Sequence, residues 1–129
     1  MIDKNKNQFS TRKRLLSFVY AYHGILYLVR TQHNAWIHLG LTAIAIILGF
    51  LLSISQVEWI AIVLCIGIVF AAEAFNTSIE MICDARFPDY DKRAEIIKDT
   101  AAGAVLFVAM AAAITGCIIF LPKLFPLLT

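Results

Sequence analysis

Three stretches of about twenty consecutive apolar residues, Ala35 to Ile54, Val57 to about Ser78, and Ala101 to Leu121, limit what this chain can fold into. Each is long enough for an α-helix to cross the hydrocarbon of a bilayer. Of the 129 residues, 60% are hydrophobic and 16% charged, and the mean hydropathy is +0.79, which is too apolar for a soluble domain. The polar remainder comes in short pieces that leave no room for a Rossmann or P-loop domain. No G-x-G-x-x-G, G-x-x-x-x-G-K, H-E-x-x-H or C-x-x-C occurs, and nothing points to nucleic acid. Any chemistry has to be built from the membrane helices. The expected fold is an all-α integral membrane protein in one domain, 1–129, with spans at about 35–54, 57–83 and 98–121 behind an amphipathic helix at about 10–33.

Cys65, Cys83 and Cys117 are widely spaced in or at the end of apolar segments and read as small packing residues. His23, His33 and His38 lack metal-ligand spacing and read as amphipathic surface positions. The apolar segment Leu15 to Val29 is rich in aromatics, ends in Arg30 and has no small-residue cleavage site, so it is expected to stay on the mature protein. Leu15, Phe18, Tyr22, Ile25 or Leu26, and Val29 recur at helical spacing behind Arg12, Lys13 and Arg14. This pattern suits an interfacial helix, with a fourth packed bundle helix as the alternative.

Ten of the eleven Lys and Arg residues precede the first span or lie between the second and third. They include Lys4, Lys6, Arg12, Arg86, Lys92, Arg93 and Lys98, whereas Lys123 alone follows the third span. The positive-inside rule then predicts a cytoplasmic N-terminus and an outside C-terminus. Trp36 and Trp59, at the starts of their spans, fit headgroup level.

The second span changes character at E-A-F-N-T-S-I-E-M-I-C-D, residues 73–84. At about 100° per residue, with Glu73 as zero, Asn76 falls near −60°, Glu80 near −20° and Asp84 near +20°, and Thr77 borders this stripe. Glu80 is then near the cytoplasmic interface and Glu73 several ångströms deeper. An intramembrane carboxylate costs roughly 2.5–3.5 kcal/mol at a helix centre and less toward the interface. Either Glu73 and Glu80 pair with cations of neighbouring helices, or they form a site. The stripe has the form needed to hold a divalent cation at Glu80 and a proton acceptor at Glu73.

The third span opens with K-D-T-A-A-G-A-V, where Ala101, Ala102, Gly103 and Ala104 permit close helix approach. Taken alone, Lys98 and Asp99 suit snorkelling and helix capping; beside Glu80 and Asp84 they could also contact a phosphate ligand. A site facing both cytosol and lipid suits a water-soluble donor and a membrane-dissolved acceptor, without naming either.

E-A-F-N-T-S-I-E at 73–80, Asp84, and K-D-T-A-A-G-A-V at 98–105 resemble the prokaryotic diacylglycerol kinase family, which includes undecaprenol kinases. The resemblance covers nearly the whole chain and extends to its size, its three spans and the spacing from Asp84 to Asp99. It implies a homotrimer in the bacterial inner membrane, with sites shared between subunits, that transfers the γ-phosphate of MgATP to a lipid hydroxyl. By the same resemblance Glu73 would be the general base and Asn76 would orient it and the phosphates. Glu80 and Gln32 would hold Mg²⁺, and Asp84, Lys98, Asp99, Tyr20 and Lys13 would contact the nucleotide. Phosphoryl transfer needs mainly positioning and charge neutralisation, so a compact site is sufficient.

One departure matters. Gln32 stands where the family usually has a glutamate, the second carboxylate on the metal, so weaker metal binding is expected. Asp91 stands where relatives often carry histidine, and nothing is inferred from it. R-T-Q-H-N-A-W-I-H-L and I-I-F-L-P-K-L look more like the undecaprenol kinase branch, with diacylglycerol the alternative acceptor. A lipid- or nucleotide-binding protein that has lost catalysis through Gln32 stays open. A transporter fits poorly, since the three spans show neither internal repeats nor broken helices.

Overall fold

The computed structural model describes residues 11–128 as four consecutive helices: α1 (Thr11–Thr31), α2 (His33–Leu51), α3 (Gln56–Arg86) and α4 (Lys92–Leu128). Lys4 and Lys6, counted above for topology, and the expected start of the first helix at residue 10 lie outside the described residues. Helices α2, α3 and α4 are each long and apolar enough to cross a membrane.

Helices α1 and α2 are separated by one residue. Gln32 leaves helical geometry at φ −99° and ψ 116°, while its N–H still donates to the Leu28 carbonyl and its own carbonyl accepts from Ala35. Leu28 is the one buried residue of α1, so this helix makes little of the core.

The turn after α2 comes earlier than expected, because the chain closes a Schellman motif. Ile54 N–H donates to the Gly49 carbonyl and Ser53 N–H to that of Phe50, with Ser53 in the left-handed region at φ 48°. Buried Ile54 packs in the cluster that includes Leu48, the apolar contact that usually accompanies this cap. Helix α3 then starts on a capping box: the Ser55 hydroxyl accepts from Glu58 N–H, and the Glu58 carboxylate accepts from Ser55 N–H.

Helix α3 runs three residues past the expected end and stops at Arg86, because Phe87 precedes Pro88 and is disfavoured in helical geometry. The Phe87 ring lies near the guanidinium groups of both Arg86 and Arg93, at 5.4 and 5.5 Å. Asp91 takes part in starting α4 six residues before the expected span, its Oδ1 accepting from Arg93 N–H at 2.8 Å. Hydrogen bonds from the Arg93 side chain, and then from its backbone N–H, hold the Asp91 carboxyl down at about 2.

Helix α4 also continues past Leu121 through Pro122 and Pro126. Packing outweighs the lost backbone donor, since Ile119 and Phe120 are buried with Ile54 and Ile62, and Leu124 packs against them. Glu58 and Lys123 pair across the same end at 3.3 Å. The apolar core therefore sits at the end of the bundle away from Asp84 and Lys98.

Two contacts set the antiparallel register of α2 and α3. Trp59 lies against Gly49, and Phe70 meets His38 edge-on at 6.3 Å; the same number of residues separates these contacts on both helices. In this register Glu73 lies near the level of Ala35, which is fully buried. Gly103 has open space around its Cα, so the small-residue run that opens α4 is not closely approached there by another helix of its own chain.

Candidate functional site

At the end of the bundle opposite the core, α2, α3 and α4 enclose a cavity of about 270 Å³ whose polar walls are Asn34, His38, Glu73, Asn76 and Glu80. Ala102, Val105 and Ala109 of α4 supply apolar walls. Helical periodicity brings Glu73, Asn76 and Glu80 to this space, as the sequence predicted.

Among the described residues Glu73 is the largest fully buried side chain, 1% exposed, and neither of its carboxylate oxygens has a hydrogen-bond partner there. Asn76 Nδ2 donates to Glu80 Oε1 at 3.1 Å, while the buried Oδ1 of Asn76 is unpartnered. Buried polar groups are normally satisfied, because leaving one unpaired costs about 1–3 kcal/mol and more for a charge. Three unpaired oxygens in one polar cavity make it the candidate site. Among the described residues, neither Glu73 nor Glu80 is within salt-bridge distance of a cation.

The remaining expected site residues lie outside the cavity wall. Lys98 Nζ and Asp84 Oδ1 pair at 2.9 Å between α4 and α3, on the same end of the bundle. Asp99 is exposed, a step of about 100° away from Lys98. Lys13 and Tyr20 lie two turns apart on one face of α1, both exposed. Gln32 is half-buried at the α1–α2 break, and its side chain makes no capping hydrogen bond.

The described residues contain no group of three or more His, Cys, Asp or Glu arranged to hold a metal ion. The donor set nevertheless fits Mg²⁺, a hard cation bound mainly by oxygen and commonly through one or two carboxylates plus substrate phosphates. The second oxygen of Glu80 and the unpartnered Asn76 Oδ1 are donors of this kind.

The reading of the histidines needs one correction. His38 lies in the wall of the polar cavity, because the α2–α3 register turns its ring toward Phe70 rather than outward. The warning signal was its place inside the first apolar span, where a polar ring needs a reason as much as Glu73 does. Just beyond His38 an apolar groove of similar volume runs along α2, α3 and α4, lined by Leu41, Ala45, Ile66, Val69 and Ala113.

The model of the prokaryotic diacylglycerol kinase family matches residues 19–120. The chain is 37% identical to the undecaprenol kinase of Bacillus subtilis over 123 residues, covering 95% of this chain and all of that protein. It is 36% identical to a diacylglycerol kinase of Synechocystis sp. over 125 residues, covering 95% of this chain and 71% of that protein.

Proposed function

The chain belongs to the prokaryotic diacylglycerol kinase family and is a membrane-bound lipid kinase; from that premise we propose that it transfers the γ-phosphate of ATP to undecaprenol. The observation that carries the mechanism is the buried Glu73 carboxylate, unpartnered in a cavity that adjoins an apolar groove. The acceptor hydroxyl enters this cavity and gives its proton to Glu73 as its oxygen forms the new bond to phosphorus and the bond to ADP breaks.

Asn76 fixes Glu80 through their hydrogen bond and turns its own carbonyl oxygen toward the ligand. Glu80 and Gln32 are the residues that would hold Mg²⁺, which when bound neutralises phosphate charge. The nucleotide extends beyond the small cavity, where Asp84, Lys98, Asp99, Tyr20 and Lys13 are its contacts. The Lys98–Asp84 pair keeps the lysine ammonium at this end of the bundle, where a phosphate could replace or join the carboxylate.

The family and the excess of Lys and Arg on one side favour the inner membrane with a cytoplasmic N-terminus. Helix α1, exposed apart from Leu28, suits the membrane surface. Large apolar side chains exposed on all three long helices leave room both for lipid and for neighbouring subunits of a homotrimer. Undecaprenol is preferred over diacylglycerol on the span-one motif and on the end-to-end match to the Bacillus enzyme.

The test is phosphate transfer from ATP to undecaprenol and to dioleoylglycerol in mixed micelles over a range of Mg²⁺ concentrations. Higher kcat/KM on undecaprenol is expected, and preference for dioleoylglycerol would reassign the acceptor. If neither lipid is phosphorylated at saturating Mg²⁺ and Gln32→Glu restores transfer, the natural protein is a disabled kinase that binds its ligands.

A further inference from the structure

We propose that His38 is the positioning residue for the lipid acceptor, donating a hydrogen bond from its imidazole to the acceptor's hydroxyl oxygen while Glu73 faces the hydroxyl's proton. This deepens the kinase reading and rests on it.

The polar side chains of the cavity wall are Asn34, His38, Glu73, Asn76 and Glu80. Glu73 and Glu80, when ionised, only accept hydrogen bonds, and Asn76 gives one of its two amide N–H groups to Glu80. An alcohol that loses its proton to Glu73 can be oriented by a second group that donates to one lone pair of its oxygen and leaves the other aimed at phosphorus. The donors left are the second amide N–H of Asn76, Asn34 and His38.

Position decides between them. Asn34 is exposed in the first turn of α2, whereas His38 lies one turn, about 6 Å, further along the same face. His38, unlike Asn34 and Asn76, also belongs to the wall of the apolar groove, so it stands where polar cavity and groove meet. A lipid alcohol has its own boundary between head and tail, and that boundary falls at its hydroxyl-bearing carbon. His38 therefore matches the hydroxyl in depth, and Asn34 matches groups nearer the water.

The ring is also held in place. Phe70 meets it edge-on, with centroids 6.3 Å apart and planes at 76°, and its nitrogens have no hydrogen-bond partner among the described residues. A neutral imidazole has one N–H to donate, which is sufficient. Packing by Phe70 restricts the ring without using that donor, as expected of a group that orients a substrate.

The experiment uses the full chain in mixed micelles with undecaprenol, comparing wild type, His38→Phe and His38→Gln. Phenylalanine keeps a ring against Phe70 and removes the donor, whereas glutamine restores a donor. His38→Phe is expected to lower kcat/KM for the lipid at least tenfold while KM for ATP changes less than twofold, and His38→Gln is expected to recover most of the loss. An unchanged kcat/KM in His38→Phe, an equal rise in KM for ATP, or a glutamine variant no better than phenylalanine would overturn the proposal.

A second measurement needs no turnover. In ¹⁵N-histidine-labelled protein without ATP, farnesol, a short prenol, is expected to move the ring nitrogen signals of His38 while those of His23 and His33 stay in place. Stationary His38 signals would overturn the contact. If His38 moves but the wild type phosphorylates no lipid, the kinase reading fails and the alcohol contact stands; if the wild type turns over and His38 neither moves nor matters, only the contact fails.

Discussion

Asn76 and Glu80, one helical turn apart on α3, are joined by a 3.1 Å hydrogen bond from the amide of the first to the carboxylate of the second. The bond leaves the Asn76 carbonyl oxygen facing a cavity in which Glu73 also stands unpartnered. One residue thus aligns a carboxylate at the outer part of the site and contributes an oxygen deeper in it. A hydrogen bond to a charged group contributes about 1.5–3 kcal/mol, or roughly ten- to a hundredfold in rate if it acts in the transition state. Asn76→Leu is expected to lower kcat by that range and to raise the Mg²⁺ concentration for half-maximal rate, both measured by transfer from radiolabelled ATP.

Glu73 carries a burial cost with no compensating hydrogen bond to its carboxylate among the described residues. If it is kept for chemistry, removing it should help the fold: Glu73→Leu is expected to stabilise the protein by about 1–3 kcal/mol while abolishing transfer. Thermal unfolding in detergent gives the first quantity. A clear loss of stability would mean that Glu73 is a packing residue.

Gln32 offers an amide oxygen where a carboxylate would add a negative charge. Gln32→Glu is expected to lower the Mg²⁺ concentration for half-maximal rate by about tenfold, as a hard cation favours the added charge. A Mg²⁺ titration of both proteins at saturating ATP reads this directly. No change would remove Gln32 from the metal's surroundings.

At the opposite end, a Cβ added to Gly49 would come within 2.7 Å of the Trp59 ring, and that ring also lies tilted against Phe50 with centroids 4.9 Å apart. Gly49→Ala is expected to destabilise by about 1–3 kcal/mol through overpacking, without changing KM for either substrate. Ser53, at φ 48°, pays for a left-handed conformation that glycine adopts freely, so Ser53→Gly is expected to add about 0.5–1 kcal/mol. Unfolding midpoints of the two variants, measured together, test whether the α2–α3 turn is built as described.

The spans and the Glu73, Asn76 and Glu80 stripe were legible because both follow from patterns within one helix: apolar length, and a repeat near 3.6 residues. Helix ends were less so, since Asp91, Ser53 and the buried pair Ile119 and Phe120 move them by contacts that composition does not reveal. The place of His38 was hidden for a different reason. It depends on the register between α2 and α3, fixed by Trp59 on Gly49 and by Phe70 on His38, which no single helix encodes.

The central claim is that Glu73 takes the acceptor's proton. The direct test is transfer from radiolabelled ATP to undecaprenol at saturating Mg²⁺ by wild type and Glu73→Gln, which keeps the shape of the side chain and removes its basicity. Transfer by the wild type is expected, with a rate lower by about 10²–10⁴ in the variant and KM for ATP within twofold. A variant within tenfold of the wild-type rate would contradict the claim.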